Sequence, residues 1–364
     1  MNEINLALGH SETQVLVQSG ILKRSGEAFC CAFKTLHPFP IVVISDERVA
    51  GLYLDLLEDS LRQKGFHPAR ILIPACEQAK CIAEATKLFE FLHGREFPRD
   101  GCVVALGGGV VSDLAGFVAG TWMRGTRFVI CPTTLEADID ACLGGKTAVN
   151  FLGGKNLIGM FHPASLVLID PDCLKTLEAR DVRSGLAESV KHALIASEEF
   201  LSWHDENLEN VLRLEPAATT ELLVRNLRIK ADIVRRDPFE LTGDRLVLNF
   251  GHTIGHAIED ACGYALRHGE CVGLGMVAAC RLSERVGLSP AVSARVSALL
   301  GRIGLPLSVP AEIGVEAILR SLRQDKKIRD GRLSFVLLEG IGQPVVRADV
   351  SEPAALEAIE QLYA

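Results

Sequence analysis

A chain of 364 residues is longer than one compact core usually grows, so two domains are expected; 48% hydrophobic and 23% charged residues is ordinary globular composition and excludes a disordered or fibrous class. A formal net charge of −8 leaves no global positive field for nucleic acid, although a local cluster of Lys and Arg can still bind a small anion. Eleven cysteines run from Cys30 to Cys280 without repeated CxxC pairs, which indicates neither a disulfide framework nor a cysteine zinc site, and a reducing, cytoplasmic setting is expected. MNEINLALGH lacks a basic-then-apolar leader pattern, and no apolar run reaches the roughly 18 residues of a membrane helix.

The first half alternates short apolar runs with amphipathic stretches. PIVVIS (40–45), ARILIPA (69–75), CVVALGGG (102–109), RFVICPTT (127–134) and SLVLIDP (165–171) read as buried strands, with helical patterns between several of them. That order predicts a mostly parallel sheet covered on both faces, an α/β domain of Rossmann-like type spanning residues 1–178. From about Asp181 the strand-like runs nearly vanish, and SGLAESVKHALIASEEFLSW and ECVGLGMVAACRLSERVG read as helices. A short strand in RLSFVLLEG (332–340) and a last helix in EPAALEAIEQLYA complete a mostly helical second domain, residues 179–364.

Several stretches hold more chemistry than a fold requires. Gly107, Gly108 and Gly109 follow a strand and precede a helix, a turn whose backbone N–H groups can meet a phosphate, although GGGxxS is not the GxGxxG fingerprint. Asp140, Lys146, Lys155 and Asn156 lie among glycines and small residues between Thr133 and Asn156. Glu188 and Lys191 sit three apart on an otherwise apolar helix; they are either a surface ion pair or a buried one that needs partners for both charges. His252, His256 and His268 crowd a chain with ten histidines, and the i, i+4 pair His252/His256 is the natural metal-binding face by spacing, with Glu188 as a candidate carboxylate. DKK (325–327) would by itself be a solvated loop.

Six segments together resemble the 3-dehydroquinate synthase family of sugar phosphate cyclases: GGGVVSDLAGFVAGTWMRG (107–125), PTTLEADIDACLGGKTAVNFLGGKNLIG (132–159), GLAESVKHALI (185–195), RLVLNFGHTIGHAIE (245–259), HGECVGLGM (268–276) and DKK (325–327). The resemblance implies an NAD-binding α/β domain joined to a helical, metal- and substrate-binding domain. It also implies zinc or cobalt held by Glu188, His252 and His268, with His256 moved from the metal to the substrate phosphate. For NAD it implies Asp46, Glu77, Lys80, Gly107, Gly108, Gly109, Asp113, Thr133, Thr134, Lys155 and Thr176. For substrate it implies Asp140, Lys146, Asn156, Lys191, Lys230, Arg245, Asn249, His256 and Lys326, and a homodimer in which Arg124 reaches the neighbouring site.

The reaction implied is conversion of 3-deoxy-D-arabino-heptulosonate 7-phosphate to 3-dehydroquinate and phosphate through oxidation at C5, phosphate loss, reduction, ring opening and aldol closure. The order is chemically sensible, since a ketone at C5 acidifies the neighbouring C–H and lets phosphate leave by β-elimination. Three features depart from the family pattern. Ser112 stands where a glycine is usual, Glu136 and Asp138 stand where apolar or amide residues are typical, and the 235–244 loop is about one residue longer.

Overall fold

The computed structural model describes residues 1–35, 37–263, 265–289, 291–324, 328, 329 and 332–363. By its internal contacts the chain divides into two compact units, Met1–Leu177 with Thr219–Phe239 and Glu178–Ala218 with Glu240–Ala364. Lys326 lies outside the described residues.

The first unit is built on a seven-stranded sheet. In chain order its elements are β1 (Asn2–Leu8), β2 (Ser11–Val17), α1 (Ser25–Phe33), β3 (Ile41–Asp46), α2 (Asp55–Gln63), β4 (Pro68–Ile73), α3 (Ile82–His93), β5 (Cys102–Gly107), α4 (Gly109–Thr121), β6 (Arg127–Pro132), β7 (Lys146–Phe151), β8 (Gly154–Phe161) and β9 (Leu166–Ile169). Strand order is β1-β2-β9-β6-β5-β3-β4, and every pairing from β2 to β4 is parallel. Every residue of β5 and β9 is buried, as their unbroken apolar runs require of strands covered on both faces. Phe29, Leu57, Leu61 and Phe66 pack on Val43, Val104, Leu106 and Val129 to form the core on one face.

After β4 the chain returns to the far side of β3 to lay down β5. The topological switch point therefore lies between the carboxyl ends of β3 and β5, at Asp46 and Gly107, where open α/β sheets bind ligands. Two hairpins are absent from the sequence reading. NEINLAL has the period-2 burial of a half-covered strand, and β1–β2 joins the sheet through the pairing of β2 with β9; the turn after β2 is fastened by Asp170, whose carboxylate accepts from Gly20 N at 2.8 Å and Leu22 N at 3.2 Å. The antiparallel pair β7–β8 carries Lys146, Lys155 and Asn156.

Helix α7 (Pro216–Arg236) belongs to the first unit from Thr219 on, so neither unit is continuous in sequence, whereas the expected division at 178/179 treated both as continuous. The second unit contains α5 (Ala179–Ala196), α6 (Glu198–Leu212), α8 (His252–Ala261), α9 (His268–Arg285), α10 (Ser293–Ile303), α11 (Val315–Gln324), the hairpin β10 (Phe335–Gly340) and β11 (Gln343–Arg347), and α12 (Glu352–Glu360). Helix α9 is buried continuously from Gly269 to Cys280 and forms its axis. A Cβ on Gly269 would stand 1.9 Å from Ser184 O, so only glycine lets α9 approach α5 this closely. Among the described residues no helix is long and apolar enough to cross a membrane.

Candidate active site

Two sets of polar groups stand out, one in each unit. In the first, the sequence-picked cofactor residues gather at the switch point. Asp46 caps the helical turn after β3, its carboxylate accepting from Val49 N at 2.8 Å. The glycine turn has no left-handed residue at Gly107–Gly109; the need is for space, since a Cβ on Gly107 would meet the Val111 side chain at 2.5 Å. Early in α4, Asp113 Oδ2 lies 3.0 Å from the buried Lys80 Nζ, and Glu77 Oε1 is 3.4 Å from the same ammonium. Burial alone would lower the Lys80 pKa, but Asp113 and Glu77 carry it above the usual lysine value, so this lysine is a fixed positive charge.

The same segment is tied to β7–β8 by a residue the sequence reading missed. Asn150 donates from Nδ2 to Glu77 Oε1 at 2.8 Å, its backbone N donates to Lys80 O at 2.8 Å, and its Oδ1 accepts from Asn156 N at 3.0 Å. Asn156 adopts φ 51°, a left-handed conformation that asparagine tolerates better than most residues. Thr176 Oγ1 meets the hydroxyl of Tyr53, also missed, at 2.6 Å. Thr134 Oγ1 accepts from Ala137 N at 3.2 Å, while the buried Thr133 Oγ1 has no hydrogen-bond partner among the described residues and is available to a ligand. Lys230 Nζ pairs with Asp140 Oδ1 at 2.7 Å and also donates to the Asp140 carbonyl. Arg124 is exposed and follows Met123; φ angles of 67° and 49° put two consecutive non-glycine residues in the left-handed region, where strain usually serves a purpose.

In the second unit, α5, α8 and α9 bring one carboxylate and three imidazoles together. Glu188 Oε1 is 3.3 Å from His252 Nε2 and 3.4 Å from His268 Nε2. Those are the edge lengths of a tetrahedron whose centre-to-ligand bonds are about 2.0–2.1 Å, the dimension of a zinc site with N and O ligands. Ligand atoms of His252, His256 and His268 also lie within 4.8 Å of one another, so the spacing-based pair and the resemblance-based pair converge on one place. Glu188 Oε1 makes its short contacts to His252 and His268, the pair that the resemblance implies.

The surrounding bonds suit ligation. His252 Nδ1 is 3.1 Å from Phe250 O and His268 Nδ1 is 3.4 Å from Glu259 Oε2, contacts that leave each Nε2 lone pair facing Glu188. Burial pushes His252 below the usual imidazole range, favouring the neutral ring a metal needs. Burial would raise the Glu188 pKa, yet Lys191, with Nζ 2.5 Å from Oε2, and the two histidines hold it well below the carboxylate range. Glu188 and Lys191 are each 1% exposed, so the pair is the buried alternative and not a solvated surface bridge. Arg180 on α5 grips both oxygens of Glu270 on α9 at 2.7 Å, fixing the first turn that starts at His268. Arg245 is buried, with Glu240 at 3.8 Å, and Asn249 ends the 3-10 turn Asp244–Asn249. Glu259 and the Arg180–Glu270 clamp were not singled out in the sequence, although HGE places Glu270 at the third helical position, where a capping acid belongs.

The profile of the 3-dehydroquinate synthase N-terminal domain matches residues 70–184, and that of its C-terminal domain matches residues 185–328. A 3-dehydroquinate synthase of Paracoccus denitrificans (strain Pd 1222) is 41% identical over 366 aligned positions, covering 99% of this chain and 98% of that one. The chain belongs to the 3-dehydroquinate synthase family. Its fold is shared with related cyclases. A 2-epi-5-epi-valiolone synthase from Streptomyces hygroscopicus subsp. jinggangensis 5008, solved with NAD+ and Zn2+, superposes with a TM-score of 0.88 at 31% identity, covering 98% of each chain. A 2-deoxy-scyllo-inosose synthase solved with carbaglucose-6-phosphate, NAD+ and Co2+ superposes at 0.89 with 26% identity, covering 99% of this chain and 100% of that one.

Proposed function

We propose that this family member converts 3-deoxy-D-arabino-heptulosonate 7-phosphate to 3-dehydroquinate and phosphate as an NAD- and metal-dependent carbon–oxygen lyase. The carrying observation is Glu188 Oε1 standing 3.3 and 3.4 Å from two imidazole nitrogens in a chain of this family. Glu188, His252 and His268 would hold zinc or cobalt. Asp46, Glu77, Lys80, Gly107–Gly109, Asp113, Thr133, Thr134, Lys155 and Thr176 would hold NAD. When bound, NAD supplies a hydride acceptor that is restored within the cycle, and the metal supplies a Lewis acid.

The chain's own residues bind and orient. Lys230 and Arg245 grip the substrate carboxylate, where a planar guanidinium suits two oxygens. Lys146, Asn249, His256 and Lys326 surround the phosphate and stabilise its charge as it leaves, and Arg124 of a second copy adds to them in a cytoplasmic homodimer. Asp140, Asn156 and Lys191 hold the rest of the substrate. Eleven unpaired cysteines suit that reducing compartment.

The test is turnover with zinc and catalytic NAD, following phosphate release and the ultraviolet absorbance of the dehydrated product. Phosphate release without net NADH is expected. Release from a carboxylate-free sugar phosphate instead would move the chain to a sister cyclase activity, and NADH accumulation would make it a polyol dehydrogenase.

A further inference from the structure

We propose that His162, one residue past β8, is a positioning residue for phosphate departure: its imidazole holds the turn that carries Arg124. The inference rests on the phosphate role given to Arg124 above and assigns what keeps that arginine in place.

The turn after α4 needs holding. Met123 and Arg124 are consecutive non-glycine residues at φ 49° and 67°, conformations that persist only where the surroundings enforce them. Two backbone bonds close the turn on itself, Thr126 N donating to Ala119 O at 2.9 Å and Gly125 N to Trp122 O at 2.9 Å. The Trp122 indole N–H ties it outward to Phe97 O at 3.0 Å. His162 supplies a further side-chain tie.

Its Nε2 lies 3.0 Å from Thr126 O. A carbonyl oxygen only accepts, so Nε2 carries the proton, and burial, which lowers the pKa of this imidazole, favours the neutral ring. The ring lies at 27° to that of Phe128 on β6, with centroids 6.1 Å apart. Two glycines of the turn make room for it. A Cβ on Gly120 would stand 3.0 Å from His162 Cγ, and one on Gly125, itself at φ 111°, 3.6 Å from His162 Cε1. The imidazole therefore packs against both ends of the strained turn and bonds to the residue that follows it.

The backbone of the same residue reaches a second cation assigned to the phosphate. His162 N donates to Gly145 O at 2.7 Å, and Gly145, at φ 69°, directly precedes Lys146 at the start of β7. Lys146 is given to the protomer's own site and Arg124 to the neighbouring one. His162 thus stands where the supports of those two contributions meet, which an isolated turn-stabilising residue would not require.

The experiment uses the full-length protein with zinc and NAD. It compares His162→Phe, which keeps a ring without the N–H, with His162→Gln, whose amide can still donate to Thr126 O. Loss of one such bond should lower kcat/KM for the sugar phosphate about 3- to 10-fold in the Phe variant and weaken inhibition by inorganic phosphate by a similar factor. The Gln variant should recover most of both. Amides 121–126 should exchange faster in the Phe variant, with the metal-ligand segments at their wild-type rates.

Pairing with Arg124→Ala decides the matter. A residue that acts through Arg124 has no further effect once the arginine is gone, so adding His162→Phe to Arg124→Ala should leave turnover unchanged. Losses that multiply in the double variant, or unaltered exchange at 121–126, overturn the proposal while the phosphate role of Arg124 stands. Normal turnover by Arg124→Ala alone removes that role and the proposal with it. Should His162→Phe not fold, His162→Asn, whose side chain is too short to reach Thr126 O, takes its place in the same cycle.

Discussion

Glu259 and Asp138 are the residues whose environments carry the sharpest consequences. Glu259 Oε2 stands 3.4 Å from His268 Nδ1, where it orients the ring whose Nε2 is turned to Glu188. Replacing an outer carboxylate of this kind costs about 10–100-fold in metal affinity, so Glu259→Gln should weaken zinc by that factor in a chelator competition. Unchanged affinity would remove Glu259 from the site. Asp138 is fully buried, neither carboxylate oxygen has a hydrogen-bond partner among the described residues, and burial, with Asp170 nearby, raises its pKa well above the usual value. A carboxyl that binds its proton more tightly when folded stabilises least at high pH: nothing is lost below the unfolded value near pH 4, and stability then falls as pH rises toward the folded value. Asp138→Asn should cancel that fall, its advantage growing by up to about 1.4 kcal/mol per pH unit across that window. Denaturant melts at pH 5 and pH 8 would check it, and parallel pH profiles for the two proteins would refute it.

At the scale of elements, most of the parallel sheet is legible in the chain because each strand is a short apolar run with local boundaries. CVVALGGG, RFVICPTT and SLVLIDP contain β5, β6 and β9, and PIVVIS and ARILIPA cover all but one end residue of β3 and β4. The two hairpins were not recognised for different reasons. β1 is an edge strand whose alternation is diluted by polar residues, and β7–β8 lies in a stretch whose glycines and charges read as a loop. The β7–β8 turn uses Leu152 and Gly153, both at positive φ, where the favoured pair is Asn-Gly. Leu152 is 90% exposed and packs little, so Leu152→Asn should raise stability by about 0.5–1 kcal/mol in thermal unfolding. A loss of stability would mean that the leucine is covered in the assembled protein.

Across the whole molecule, ligand protection should be local to each unit. NAD is expected to slow amide exchange around 46–49, 77–80 and 107–113, and zinc around 184–192, 250–256 and 268–271, in hydrogen-exchange mass spectrometry. Protection by zinc confined to other segments would contradict the ligand set. Residue order alone was enough to establish the α/β-then-helical plan, the glycine turn and the six family segments, because strand runs, helix periods and motif spacing are properties of neighbours. It could also pick out Glu188, His252, His256 and His268 as candidates. It could not say that Glu188 Oε1 faces two Nε2 atoms at 3.3 and 3.4 Å, that Lys191 balances that buried acid, or that α7 sorts with the first unit. The facing of Glu188 by two imidazoles is set only when α5, α8 and α9 pack together, the burial of the Glu188–Lys191 pair by what covers α5, and the place of α7 by the unit it packs on, none of which chain neighbours determine.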